Sequence, residues 1–124
     1  MQGLHLTADL SGCDPAQRLM RDRAALAAEC RAAVLASGLA PVAELFHAFS
    51  PQGSGITGVV LLAESHLAVH TWPEIGAVTL DVYVCNLASD NRHKAHALLD
   101  RLQAAFAPRH AVHQSLERGA EGLA

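Results

Sequence analysis

After Gly76 the chain alternates without a fault: Val78, Leu80, Val82 and Val84 interleave with Thr79, Asp81, Tyr83 and Cys85. Successive side chains of a strand point to opposite faces, so this segment belongs in a sheet with one apolar face and one face that carries polar groups, Cys85 among them. Residues 4 to 10 repeat the pattern, with Leu4, Leu6, Ala8 and Leu10 against His5, Thr7 and Asp9, and are expected to form an edge or half-buried strand. Residues 42–49 alternate with Leu45, His47 and Phe49 on one side, and Ser50-Pro51-Gln52-Gly53-Ser54-Gly55 reads as a loop. Further strands are expected around 56–63 and 66–72, with a turn at Pro73-Glu74-Ile75-Gly76.

Two helices complete the pattern. Asp14 before Pro15 predicts a helix start, and the Ala-rich run reaches Leu35 before Ser37-Gly38, with Leu19, Arg23, Leu26, Cys30 and Val34 near one line. Ser89 or Asp90 is expected to cap a second helix reaching Phe106, which Pro108 stops, and residues 109–116 read as a last strand. This order predicts an α+β fold, a two-layer sandwich of a largely antiparallel sheet with helices on one face. The other sheet face then needs cover. Pairing two such faces gives an αββα homodimer.

The 124 residues suffice for one domain, taken as 1–124. No apolar run approaches the roughly 18 residues of a membrane span, and the start shows no secretory signal, so a cytoplasmic protein without a membrane partner is expected. Net charge is −3 with scattered Lys and Arg, which gives no footprint for nucleic acid. Cys13, Cys30 and Cys85 show no CxxC spacing and read as free thiols. His66 and His70 are four apart on a predicted strand, about 13 Å, too far to share an ion. His93 and His96 could meet on a helix but lack an evident carboxylate or cysteine partner, the pair His110 and His113, three apart, carries little weight, and no metal site is expected.

The segment hardest to explain by folding alone is 64–74. An apolar run, Gly58-Val59-Val60-Leu61-Leu62-Ala63, gives way abruptly to Glu64, Ser65, His66 and His70. Burying polar groups without partners costs about 1–3 kcal/mol each. Taken singly, Cys85 is a strand thiol, His70 a core histidine, Phe49 and Trp72 core fillers, and Thr57 and Glu74 turn residues. Together they suggest chemistry.

This run, Glu64-Ser65-His66-Leu67-Ala68-Val69-His70-Thr71-Trp72-Pro73-Glu74, resembles the self-processing site of the small prokaryotic S-adenosylmethionine decarboxylases. Softer matches extend over Gly3-Leu4-His5-Leu6, Phe46-His47-Ala48-Phe49, Asp81-Val82-Tyr83-Val84-Cys85 and Glu117-Arg118-Gly119. The resemblance implies a proenzyme that cuts itself at Glu64-Ser65 through an N-to-O acyl shift, β-elimination and hydrolysis. The products would be a β chain 1–64 and an α chain 65–124 headed by a pyruvoyl group made from Ser65. That carbonyl would form a Schiff base with the substrate amine and accept the electrons left as carbon dioxide departs.

His70 matches the processing histidine, assigned as general base in the elimination, its place five residues after Ser65 permitting a sheet or corner to bring it back to the ester. Cys85 matches the proton donor. Thr57, in Gly55-Ile56-Thr57-Gly58, stands where the family usually has a serine that supports processing. Phe49 matches an aromatic that contacts the adenine, and Glu74 a carboxylate placed for the ribose. The implied assembly is a homodimer of processed αβ protomers acting on a small molecule, S-adenosylmethionine, to supply the aminopropyl donor for spermidine synthesis. Because Thr57 and a longer 50–55 loop depart from the usual pattern, L-ornithine or L-arginine decarboxylation is the alternative. A non-catalytic dimeric ligand-binding homologue is the second.

Overall fold

The computed structural model describes residues 2–119, so residue 1 and residues 120–124 of the expected span lie outside the described residues. Six strands follow in chain order: β1 (Gly3–Ser11), β2 (Ala43–Ala48), β3 (Ile56–Leu61), β4 (His66–Trp72), β5 (Ala77–Cys85) and β6 (His110–Arg118). Three helices accompany them: α1 (Arg18–Arg21), α2 (Arg23–Ala36) and α3 (Arg92–Phe106). The strands form one sheet in the order β2-β3-β4-β5-β1-β6, and every neighbouring pair is antiparallel. The helices pack on one face, α3 over β1 and β5, α2 over β2 and β3, and α1 against β4. This is the expected α+β two-layer architecture.

The core lies between the layers. Val78, Leu80, Val82 and Val84 of β5 are all buried, as are Leu4, Leu6, Ala8 and Leu10 of β1. They meet Leu26, Cys30 and Val34 of α2 and Leu98, Leu102 and Phe106 of α3. Full burial of each large side chain stabilises the fold by about 1.5–3 kcal/mol. Phe46 turns its ring onto Gly58, its register partner on β3, where an added Cβ would stand 2.2 Å from ring atoms; only glycine admits the ring so closely.

One expectation is narrowed and two need correction. The strand at 4–10 is half-buried but not an edge, because β5 and β6, both later in the chain, pair with its two sides; β2 and β6 are the edges. The predicted helix from Pro15 to Leu35 is two pieces. Asp14 accepts from Ala16 N–H at 2.9 Å in a local turn, and the chain leaves helical geometry at Asp22 (φ −103°, ψ 109°), whose carboxylate accepts from Ala25 N–H at 3.1 Å and caps α2. The helical line therefore restarts, leaving Arg23 exposed and burying Met20, which the pattern did not single out. Finally, the α3 N-cap position is Asn91, not Ser89 or Asp90, although the Asp90 carboxylate accepts from Arg92 N–H at 3.1 Å.

Candidate active site

The open face of the sheet carries the polar half of each alternation, and the candidate residues gather in two groups toward the opposite ends of β3 and β4. The first is built by the turn between β3 and β4. Leu62 N–H donates to the Ser65 carbonyl at 2.8 Å, closing the turn around Ala63 and Glu64. Ala63 has φ +64°, a left-handed conformation that costs a non-glycine residue roughly 1–2 kcal/mol. Glu64 is exposed while Ser65 is buried, 9% accessible. The Glu64–Ser65 peptide bond thus runs from solvent into the protein, one residue beyond the strained Ala63.

Ser65 Oγ accepts from Cys85 N–H at 3.0 Å, which places the serine beside the end of β5. The half-buried Cys85 is fixed in turn by Asn91, whose side-chain amide donates to the Cys85 carbonyl at 2.8 Å, while Asn91 N–H donates to Asn86 Oδ1 at 2.9 Å. Sequence reasoning did not mark Asn91; a polar residue six positions past Cys85 gives no signal until the segment after β5 has folded back on the strand's end.

The second group lies at the other end of β3 and β4. Thr57 and His70 are register partners, and Thr57 Oγ1 stands 3.0 Å from His70 Nδ1. A cleft of about 330 Å³ is lined there by Phe49, Ser54, Thr57, His70, Thr71 and Trp72. The His70 ring stacks on Trp72 at 5.8 Å between centroids, and Phe49 meets His47 edge-on at 4.7 Å. Trp72, read as a core filler from the sequence, is 38% accessible and forms a wall of this cleft. Glu74 stands outside the lining, exposed on the 3-10 turn Pro73–Ile75 that follows.

The structure does not bring the two groups together within one chain. β4 runs from His66 to Trp72 as one unbroken strand, so His70 lies about 13 Å along the sheet from His66, the residue after Ser65. The corner that would return His70 to Ser65 is absent from this segment. Between the groups, the open face holds His5, His66, Asp81 and Tyr83. His5 Nε2 lies 3.1 Å from Asp81 Oδ1, and the His66 and Tyr83 rings are 5.7 Å apart. Burial, and next the nearby His5, push the His66 pKa below its ordinary value, so the neutral imidazole is favoured there.

The chain's relatives agree with this architecture. The family model described as S-adenosylmethionine decarboxylase matches residues 4–119. An S-adenosylmethionine decarboxylase proenzyme of Picrophilus torridus is 35% identical over 119 residues, covering 96% of this chain and 85% of the relative. That of Aquifex aeolicus is 41% identical over 119 residues, covering 94% and 81%. The crystal structure of an adenosylmethionine decarboxylase from Aquifex aeolicus superposes with a TM-score of 0.83 at 36% identity, over 95% of this chain and 91% of that one. The open-faced sheet, with its serine turn at one end and its histidine cleft at the other, is that of a chain that belongs to the S-adenosylmethionine decarboxylase family.

Proposed function

We propose that this chain is a self-processing decarboxylase of S-adenosylmethionine that cuts its own Glu64–Ser65 bond, draws a pyruvoyl group from Ser65, and works as a homodimer. The β chain would be 1–64 and the α chain 65–124. The observation that carries the reading is the buried Ser65, its hydroxyl held at the end of β5 beside Cys85, at the close of a turn that holds the strained Ala63. A serine so placed has only the carbonyl of an exposed glutamate before it. Attack by Oγ on that carbonyl carbon forms a C–O bond, breaks the Glu64–Ser65 C–N bond and passes the hydroxyl proton to the freed amine, a step favoured by orientation.

The residues around position 65 fit a pyruvoyl group, since it would stay covalently at that buried position beside the half-buried Cys85, while the Ser65 oxygen that accepts from Cys85 N–H would leave with the Glu64 acyl group in the elimination. The group supplies a carbonyl that takes the substrate amine and accepts the electron pair released with carbon dioxide. Cys85 Sγ–H holds the proton for the carbon that loses carboxylate. Thr57 orients the His70 ring, which serves as base in processing. Phe49 and Trp72 offer aromatic faces to the adenine, and Glu74 a carboxylate for the ribose hydroxyls. The product would be decarboxylated S-adenosylmethionine, an aminopropyl donor for spermidine synthesis.

The separation of the two groups supports the dimer. A twofold axis through facing open sheets would set one protomer's Ser65 and Cys85 against the partner's Thr57, His70, Phe49 and Glu74. Exposed Leu45, Leu61, Val112 and Leu116 on the same face would be covered.

The test is release of carboxyl-derived carbon dioxide from S-adenosylmethionine, L-ornithine and L-arginine, each offered separately, with chain cleavage read on a denaturing gel. Two chains and release from S-adenosylmethionine alone are expected, and Ser65→Ala should remain one chain and release none. Release from ornithine or arginine alone would overturn the substrate assignment. Cleavage persisting in Ser65→Ala would overturn the processing mechanism.

A further inference from the structure

The loop between β2 and β3 lines the cleft with Phe49 and Ser54 on one side and meets α1 on the other. Arg21, the last residue of α1, reaches across: Nε donates to the Pro15 carbonyl at 2.6 Å and Nη1 to the Gly53 carbonyl at 3.1 Å. The loop is closed upon itself, since Phe49 N–H donates to the Gly55 carbonyl at 3.0 Å and Ser54 N–H to the Pro51 carbonyl at 3.1 Å. Among the described residues, Arg21 supplies the one side-chain hydrogen bond from the helical layer to this loop.

The loop's glycines are placed for the contact. Gly53 has φ +86°, and a Cβ there would stand 2.9 Å from Arg21 Nη1; Gly55 has φ +128°, and a Cβ would stand 2.6 Å from the Thr71 carbonyl. Thr71, between His70 and Trp72, ties the neighbouring wall to the same helix. Its Oγ1 donates to the Met20 carbonyl at 2.9 Å and accepts from Ile56 N–H at 3.0 Å. Met20 and Arg21 therefore hold both walls of the cleft from behind.

We propose that Arg21 is a positioning residue for the nucleoside end of the substrate, acting through Gly53 to fix the loop that carries Phe49. The proposal rests on the reading of this cleft given above. A planar guanidinium can serve two separated carbonyls at once from its rigid fork, whereas an ammonium in its place is a compact point charge whose three donors radiate from one nitrogen on a flexible stem. Without Arg21 the loop keeps its internal bonds, Phe49 N–H to Gly55 among them, but its Gly53 end loses the tether to α1, and the Phe49 side chain loses the fixed loop behind it.

Trp72 is the sole tryptophan, so its fluorescence reads occupancy of the cleft without turnover. The experiment titrates processed parent, Arg21→Ala and Arg21→Lys proteins with 5′-methylthioadenosine, which carries the nucleoside but neither the α-amine nor the carboxylate of the amino-acid end, and measures KM and kcat for S-adenosylmethionine alongside. Arg21→Ala should weaken both Kd and KM by about tenfold, the loss expected for a charged donor, with kcat and self-cleavage near those of the parent. Arg21→Lys should fall between and covers the case in which the alanine variant fails to fold. In a Phe49→Ala background, Arg21→Ala should add less than about twofold, because coupled residues are not additive. An unchanged Kd and KM in Arg21→Lys and Arg21→Ala overturns the proposal, as does an undiminished effect without Phe49. A parent that neither binds the analogue nor decarboxylates S-adenosylmethionine overturns the underlying reading, and the proposal with it.

Discussion

Thr57 and His70 show what a single hydrogen bond decides at this site. With Oγ1 at 3.0 Å from Nδ1, the hydroxyl fixes the plane of the ring and leaves Nε2 for the cleft. A base that must find its own orientation loses much of the 10²–10⁴-fold that a positioned one contributes, by order of magnitude. Thr57→Ser keeps the hydroxyl and should process at about the parent rate. Thr57→Val keeps the shape, removes the donor and acceptor, and should slow cleavage by roughly 10–100-fold with an unchanged circular dichroism spectrum. The conversion of one gel band to two measures this, and parent-like cleavage in Thr57→Val would remove Thr57 from processing. At this scale the sequence was informative where residues are neighbours in the chain. Glu64, Ser65, His66 and His70 form a cluster no core requires, and Gly55-Ile56-Thr57-Gly58 marks the hydroxyl. Trp72 and Thr71 were not legible as parts of the cleft, because an aromatic beside a buried strand reads as core and the Thr71 partner, Met20, is 51 residues away.

Among the elements, the strands were legible because alternation needs no partner to be seen, and β5 was expected and found with the same inward and outward faces. Placement was not. That β1 lies inside the sheet depends on β6, which arrives a hundred residues later, and the break at Asp22 depends on a cap that competes with a helical run. The element best suited to a stability test is α2, whose inner face carries Cys30. Burial above all, then the negative Glu29 and Glu44, push this thiol from 9.0 up to about 12. The folded chain therefore keeps its proton where the unfolded chain loses it. The contribution is complete below about pH 9 and is lost as pH rises toward 12, at about 1.4 kcal/mol per pH unit within that window. Urea midpoints measured from about pH 8 to about pH 10.5 should fall more steeply for the parent than for Cys30→Ala. The alanine variant starts lower because of the cavity it leaves, so the slope and not the absolute midpoint is the reading. Parallel slopes would show that Cys30 is not the titrating group.

For the molecule as a whole, the proposed site would be completed only between two copies. One unbroken strand separates Ser65 from His70 within a chain, whereas a twofold arrangement of open faces exchanges the two ends of the sheet. Subunit complementation separates these geometries. Ser65→Ala lacks the nucleophile and His70→Ala the processing base, so each alone should stay largely uncut. In a co-expressed heterodimer, the intact Ser65 of the His70→Ala chain faces the intact His70 of the Ser65→Ala chain, and one of the two sites is whole. With random pairing, cleavage of up to about half of the His70→Ala chains is expected, together with recovery of carbon dioxide release from S-adenosylmethionine. The Ser65→Ala chains stay uncut in every pairing, which supplies an internal control on the same gel. If the site were instead completed within a protomer, by β4 bending in the proenzyme, no mixture would restore either signal. Restored cleavage without restored decarboxylation would place His70 across the interface for processing and leave the substrate cleft to be sought within one chain.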